Sequence, residues 1–347
     1  MKTESLREKD TNILNLLVEN YLKIGSPISS GFIVKKTKAS ISSATVRNIM
    51  AKLENHGYLY QPHTSAGRIP TDKGLRLYVN GLFKEAFYSR EYINLPLEDF
   101  YLDKGDFNSL LVKVSKVLSD YSDNIGFVIS PRISKINFSH IKFVKISEVK
   151  ILIILIALSN LVLTESVETK EYFTQVELDR ASRYINENFG GRNLVFILDY
   201  ILKEVPKFRI RYEDLISKLT ILLKAYFFQE KRENKIFLQG TAKLLEKPDL
   251  FDMERLKFLF QSLEEKAKLA KLLSDFISLE RVKVLIGSEL NLPNVSSCSL
   301  ILSHYGYDRQ VLGSLGIIGP KRIPYKKIIP VVDFVAKKLS QAISYDN

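Results

Sequence analysis

Between residues 6 and 22 apolar side chains recur at Ile13, Leu16, Leu17 and Tyr21, the spacing of one face of an amphipathic helix. Gly25-Ser26-Pro27 ends that pattern, and Ser29-Ser30 offers an N-cap for a short second helix holding Phe32, Ile33 and Val34. Ser42 is placed to cap a third helix, for which Gly57 supplies the C-terminal stop. Tyr58-Leu59-Tyr60-Gln61-Pro62 then reads as a strand, His63-Thr64-Ser65-Ala66-Gly67 as a loop tip and Arg68-Ile69 as a returning strand. Thr71 caps a further helix. Three helices followed by a hairpin predict a winged helix-turn-helix over residues 1–90.

After residue 84 the periodicity fades and Pro96 interrupts it, which places a linker at 91–105. Residues 141–147, 150–158 and 160–168 are three strand-like runs of an antiparallel meander. Helical spacing follows over 176–184, 194–205 and 212–229. A strand and turn are expected at 237–241, one or two helices over 253–278, strands at 282–286, 298–305 and 310–318, and a closing helix over 327–340. Strands on either side of a helical block predict an α+β chain in which one α+β domain carries a helical insertion.

Composition narrows the class without deciding it. Hydrophobic residues make up 46% and charged residues 26% of 347, a globular balance with room for about two or three domains. Residues 1–90 hold fourteen lysines and arginines against seven acidic residues, so +7 of the formal +12 falls on the first quarter of the chain. That favours a polyanionic partner, although a merely soluble basic surface would look the same. The sole cysteine, Cys298, excludes an intramolecular disulfide and fits a reducing, cytoplasmic setting. The first residues lack the apolar core of a signal peptide, and the longest apolar run, 151–158, is far shorter than a membrane span, so neither secretion nor membrane insertion is expected.

The third helix carries the candidate chemistry. Val46, Ile49, Met50 and Leu53 fall on one stripe, while Ala44, Arg47, Asn48, Ala51 and Asn55 fall on the opposite one, flanked by Ser43 and Lys52. Arginine can chelate guanine O6 and N7, asparagine can pair with adenine, and alanine permits close approach, so this face suits a DNA major groove. Ser43 and Thr45 lie in the first turn, where phosphates are held, and Lys52 lies at the phosphate flank. A solvated helix face remains the alternative from this helix alone. In the hairpin, His63, Thr64, Ser65 and Gly67 are suited to pass close to sugar-phosphate, and Arg68 to enter a minor groove. Loop punctuation alone would also place glycine and serine there. Helix and hairpin together point to double-stranded DNA.

Ser42-Ser43-Ala44-Thr45-Val46-Arg47-Asn48 and Gln61-Pro62-His63-Thr64-Ser65-Ala66-Gly67-Arg68-Ile69-Pro70-Thr71-Asp72-Lys73-Gly74 resemble the HrcA family of heat-inducible transcription repressors. The resemblance continues in Gly240-Thr241-Ala242, Leu244-Leu245, Pro248-Asp249, Ile286-Gly287-Ser288-Glu289 and Gly316-Ile317-Ile318-Gly319-Pro320-Lys321-Arg322 with Tyr325. Leu75 stands where the family pattern has tyrosine and is expected to pack inward; Leu290 stands where it has asparagine. The resemblance implies a homodimer with a GAF-like domain, in parts 106–169 and 231–347, and an inserted dimerising domain at 170–230. It also implies an inverted-repeat operator before chaperone genes, and promotion of the active form by a GroE-type chaperonin until heat diverts it.

Catalytic constellations are not apparent. His56, His63, His140 and His304 are scattered with no metal-binding spacing, and Cys298 sits in an apolar strand without basic neighbours. Gly313, Gly316 and Gly319 lack the spacing of a phosphate-binding loop. The expected function is therefore a negative regulator of heat-shock transcription rather than an enzyme, with no cofactor or metal. The competing reading is a metabolite-sensing regulator. For it, Tyr305, Tyr307, Arg309, Arg322 and Tyr325 are the one polar-aromatic group worth testing, against the simpler view that they form an edge of the fold.

Overall fold

Four helices and a hairpin form the N-terminal part of the computed structural model, which describes residues 6–37, 41–64, 66–85, 107–159, 161–204, 213–232, 236–246, 282–290, 296–307 and 310–344. The expected linker at 91–105, the expected helices at 253–278, and Ser65 and Arg309 lie outside these residues. Helix α1 (Glu8–Ile24) buries Ile13, Leu14, Leu17 and Val18 and ends on Gly25, whose N–H donates to Tyr21 O. Ser29 caps α2 (Ser30–Lys36) by accepting from Phe32 N–H, and Ser42 caps α3 (Ser43–Asn55) by accepting from Thr45 N–H. Each hydroxyl satisfies a donor that the helix itself leaves unpaired. Strands β1 (Leu59–Tyr60) and β2 (Ile69–Pro70) form the hairpin, extended by a bridge between Ile28 and Arg68. Helix α4 (Asp72–Glu85) follows, its Gly74 N–H held by Thr71 Oγ1, with Leu75 buried as expected.

The next two elements fall where the patterning assigns none. Helix α5 (Phe107–Ser122) buries Leu110, Leu111, Val114 and Leu118, and β3 (Ile125–Ile129) is almost wholly buried. With β7 (Ile236–Gln239), β8 (Lys283–Ile286), β9 (Cys298–Tyr307) and β10 (Gln310–Pro320), β3 forms a five-stranded antiparallel sheet in the order β7, β3, β10, β9, β8. A short helix, α9 (Ala242–Leu245), follows β7, and α10 (Tyr325–Ser344) closes the described chain. Helices α5 and α10 pack against each other and against β3, β9 and β10. Val128, Ile301, Leu315 and Ile317 belong to that core, whereas Ile125, Phe127, Leu300, Leu302 and Ile318 cluster with Leu244 and Leu290. The alternation along each strand thus supplies two buried faces.

The chain leaves this sheet after β3 and returns at β7, the strand beside it. Between them β4 (Phe138–Lys145), β5 (Lys150–Ala157) and β6 (Val162–Glu168) form the expected meander, followed by α6 (Gln175–Phe189), α7 (Leu194–Glu204) and α8 (Glu213–Arg232). The sequence reading groups the meander with the strands beyond 231. In the structure it is a separate three-stranded sheet. The outer edge of β4 is satisfied from α6: Asn186 Oδ1 accepts from Ile141 N–H at 2.8 Å, Ser182 Oγ from Phe143 N–H at 2.9 Å and Gln175 Oε1 from Lys145 N–H at 2.8 Å. On β6, Gln229 of α8 accepts from Glu168 N–H and donates to Ser166 O. A buried strand edge needs partners for its backbone groups, and here they come from helices of the 175–232 block.

Candidate nucleic-acid interface

Val46, Met50 and Leu53 are fully buried where α3 packs on α1 and α2. Ser43, Ala44, Thr45, Arg47 and Asn48 are exposed. Among the described residues neither Arg47 nor Asn48 has an ion pair or side-chain hydrogen bond, so both retain their full donor and acceptor capacity. Ser42 Oγ lies 2.8 Å from Thr45 Oγ1 and 3.1 Å from Thr45 N, which fixes the first turn.

The two remaining cations are engaged inside the module. Lys52 Nζ lies 2.7 Å from Oδ2 of Asp10, a buried carboxylate on α1. Lys52, the expected phosphate contact, thus straps α3 to α1 while its side chain stays 42% exposed. Arg68 Nε donates to Glu54 Oε2, and the arginine side chain is only 15% exposed. It braces the returning strand against α3 instead of extending from the hairpin toward a groove.

The hairpin tip is held by Gln61, whose Nε2 donates to Thr64 O at 2.9 Å and Ala66 O at 2.8 Å. His63 and Thr64 are exposed at this tip. Gly67 passes the Ile28 backbone so closely that a Cβ would collide with its carbonyl, so its smallness serves that contact. The sequence reading gives no such role to Asp10, Glu54 or Gln61. Each acts on a partner through the fold or through a loop shape, for which the linear pattern carries no periodic signal.

Elsewhere, polar groups are scattered or consumed. His140 pairs with Asn186 and His304 with Ser314. Burial pushes the Cys298 thiol up to about 12, so it stays protonated near neutrality. Tyr305 is buried with its hydroxyl donated to Ile129 O, Tyr307 donates to Asn137 O, and Tyr325 donates to Lys321 O. Each of these three hydroxyls is thus bonded to a backbone carbonyl. Among the described residues no group of three His, Cys, Asp or Glu side chains could hold a metal ion, and no helix is long and apolar enough to cross a membrane.

A family model described as the HrcA protein C terminal domain matches residues 108–329. The heat-inducible transcription repressor HrcA of Geobacter sulfurreducens is 36% identical over 342 residues, covering 97% of this chain and 98% of the relative. That of Syntrophobacter fumaroxidans is 32% identical over 339 residues, covering 97% of each. A crystal structure of a hypothetical protein, 22% identical, shares the fold over 98% of this chain and 99% of its own with a TM-score of 0.66. Similarity of this extent, through the α3 and hairpin segment as well as the sheet domain, means that the chain belongs to the HrcA family of heat-inducible transcription repressors.

Proposed function

We propose that this chain is a dimeric repressor of chaperone genes that reads an inverted-repeat operator with α3 of each protomer and braces that contact with the hairpin. The observation that carries the reading is the exposed stripe of α3, where Arg47 and Asn48 stand uncommitted while Lys52 and Glu54 hold the helix in place. Arg47 and Asn48 read base edges; Ser43, Ala44 and Thr45 approach the backbone, and exposed Lys35 and Lys36 at the end of α2 add phosphate contacts. His63, Thr64, Ser65 and Gly67 form the hairpin contact, with Lys52 and Arg68 acting as supports.

In this reading residues 1–90 are a winged helix-turn-helix, and the five-stranded sheet with α5 and α10 is a GAF-like domain. The inserted dimerising unit spans 138–232, because the meander shares its edge hydrogen bonds with α6 and α8. Val195, Phe196, Tyr200 and Leu202 leave an apolar face exposed on α7, whose opposite side buries Leu194, Ile197 and Ile201. A face of that kind favours a second copy of the chain as its cover. By family likeness the protein works in the cytoplasm, a GroE-type chaperonin promotes its active form, and it needs no catalytic residue, cofactor or metal.

The test is a nuclease footprint upstream of the source genome's chaperone operons, with and without chaperonin. Protection of an inverted repeat by the wild-type chain, lost on Arg47→Ala with Asn48→Ala, is the expected result. No protection under either condition would overturn the reading.

A further inference from the structure

Three segments that play no part in the DNA contact, and that lie far apart in sequence, meet at one joint between α4 and the five-stranded-sheet domain. Arg76 of α4 grips Glu289 in a two-pronged ion pair: Nε donates to Oε1 at 2.7 Å and Nη2 to Oε2, while Nη2 also donates to Val284 O at 2.6 Å. Glu289 is oriented for this by accepting from Ile286 N–H. One turn earlier on α4, Asp72 accepts from Lys321 Nζ at 2.6 Å and from Ser288 N–H at 3.2 Å. Gly287 makes that approach possible. Its φ is +55°, and a Cβ there would collide with the Asp72 carboxylate.

The far side of the joint is anchored in turn. Lys321 N–H donates to Ser297 O, and Lys321 O accepts from the buried Tyr325 hydroxyl, which itself accepts from Ser299 Oγ. The neighbouring Arg322 guanidinium lies against Gly25 at the C-terminus of α1, where a positive charge is favoured by the helix dipole. Bidentate arginine–carboxylate pairing fixes angle as well as distance. Throughout, the stripe of Ser43, Ala44, Thr45, Arg47 and Asn48 stays exposed, so the closed joint orients the module without covering its DNA face.

We infer that Asp72, Arg76, Glu289 and Lys321 are positioning residues for operator binding: their joint fixes the angle at which each protomer presents α3 and so sets the half-site spacing that a dimer grips. The inference rests on the proposed dimeric DNA reading. Two-fold operators place their half-sites about one helical turn, or a multiple of it, apart, so a module free to swivel forfeits the gain from simultaneous engagement.

The experiment titrates the full-length wild type, Arg76→Ala, Lys321→Ala and Arg76→Lys against a single half-site, the native operator, and operators with base pairs inserted or removed between half-sites. Half-site binding reports that the module is folded. The alanine variants are expected to keep half-site affinity, to bind the native operator about tenfold more weakly, and to show a flattened dependence on spacing. Arg76→Lys, which keeps the charge without the fork, should fall between. If Arg76→Ala also loses half-site binding, Lys321→Ala decides. An unchanged spacing profile in Lys321→Ala, or tighter operator binding in either alanine variant, would overturn the inference. A wild-type chain that binds no inverted repeat would defeat the proposed function instead.

Discussion

Arg68 Nε meets Glu54 Oε2 across 2.8 Å, so the returning strand of the hairpin is tied to the last turn of α3. The pair couples the two elements proposed to contact DNA. Glu54→Gln should leave the core intact and cost about 1 kcal/mol or less in stability, because the pair is partly exposed. It should weaken operator binding by releasing the hairpin. Thermal denaturation alongside operator titration checks this, and wild-type affinity in the variant would remove the hairpin from the interface.

Arg47→Ala and Asn48→Ala should each lose about 1–3 kcal/mol of discrimination between operator and random DNA, the value of a bidentate base contact. Lys52→Ala should behave differently, since its removal leaves the buried Asp10 carboxylate without its partner. Its expected cost is about 1–3 kcal/mol of folding stability. Chemical denaturation and competition binding on the three variants separate these outcomes; equal loss of operator and random-DNA affinity in Arg47→Ala would refute its base-reading role.

Where the sequence was legible, the signals were local. Ser29 and Ser42 cap helices within three residues of themselves, Gly57 takes the left-handed conformation that ends α3, and β5 alternates Ile151, Ile153, Leu155 and Ala157 inward. Leu110, Leu111, Val114 and Leu118 carry equally clear helical spacing, to which the sequence analysis assigns no element. The exposed residues of the α3 stripe also followed from periodicity. The pairing of Lys52 with Asp10 and of Arg68 with Glu54 is not legible in the sequence, because a free cation and a paired one look alike until the fold brings up the carboxylate. Likewise, alternation identified the meander strands but held no information about which sheet they would join.

Glu177 offers a pH test of the inserted unit. Its hydrogen bond and ion pair with Lys218, together with the Thr174 N–H, hold its carboxyl down from 4.5 to about 2. A carboxylate depressed in the folded state adds stability above its unfolded value, and that stability is lost as pH falls from about 4.5 through about 2. Lys218→Met should therefore destabilise the protein at neutral pH and approach wild type near pH 2. Urea midpoints across that range provide the measurement, and a difference that stays constant with pH would contradict the linkage.

Phe196 and Tyr200 stack with ring centroids 6.3 Å apart on the exposed side of α7, beside Arg192 over the Phe196 ring. Phe196→Glu with Leu202→Glu should convert a dimer to monomers while preserving circular dichroism, because both residues are exposed in the single chain. Sedimentation equilibrium gives the answer. A dimer that persists would move the interface away from α7.

The side-chain bonds from α6 and α8 along β4 and β6 bear on what happens when the protein is heated. Asn186, Ser182, Gln175 and Gln229 occupy backbone positions at which another chain's strand would otherwise dock. An unoccupied strand edge is a template for aggregation. At these positions the meander can pair with a foreign strand only after a helix has peeled away, so detachment of α6 or α8 on warming is the step expected to open them.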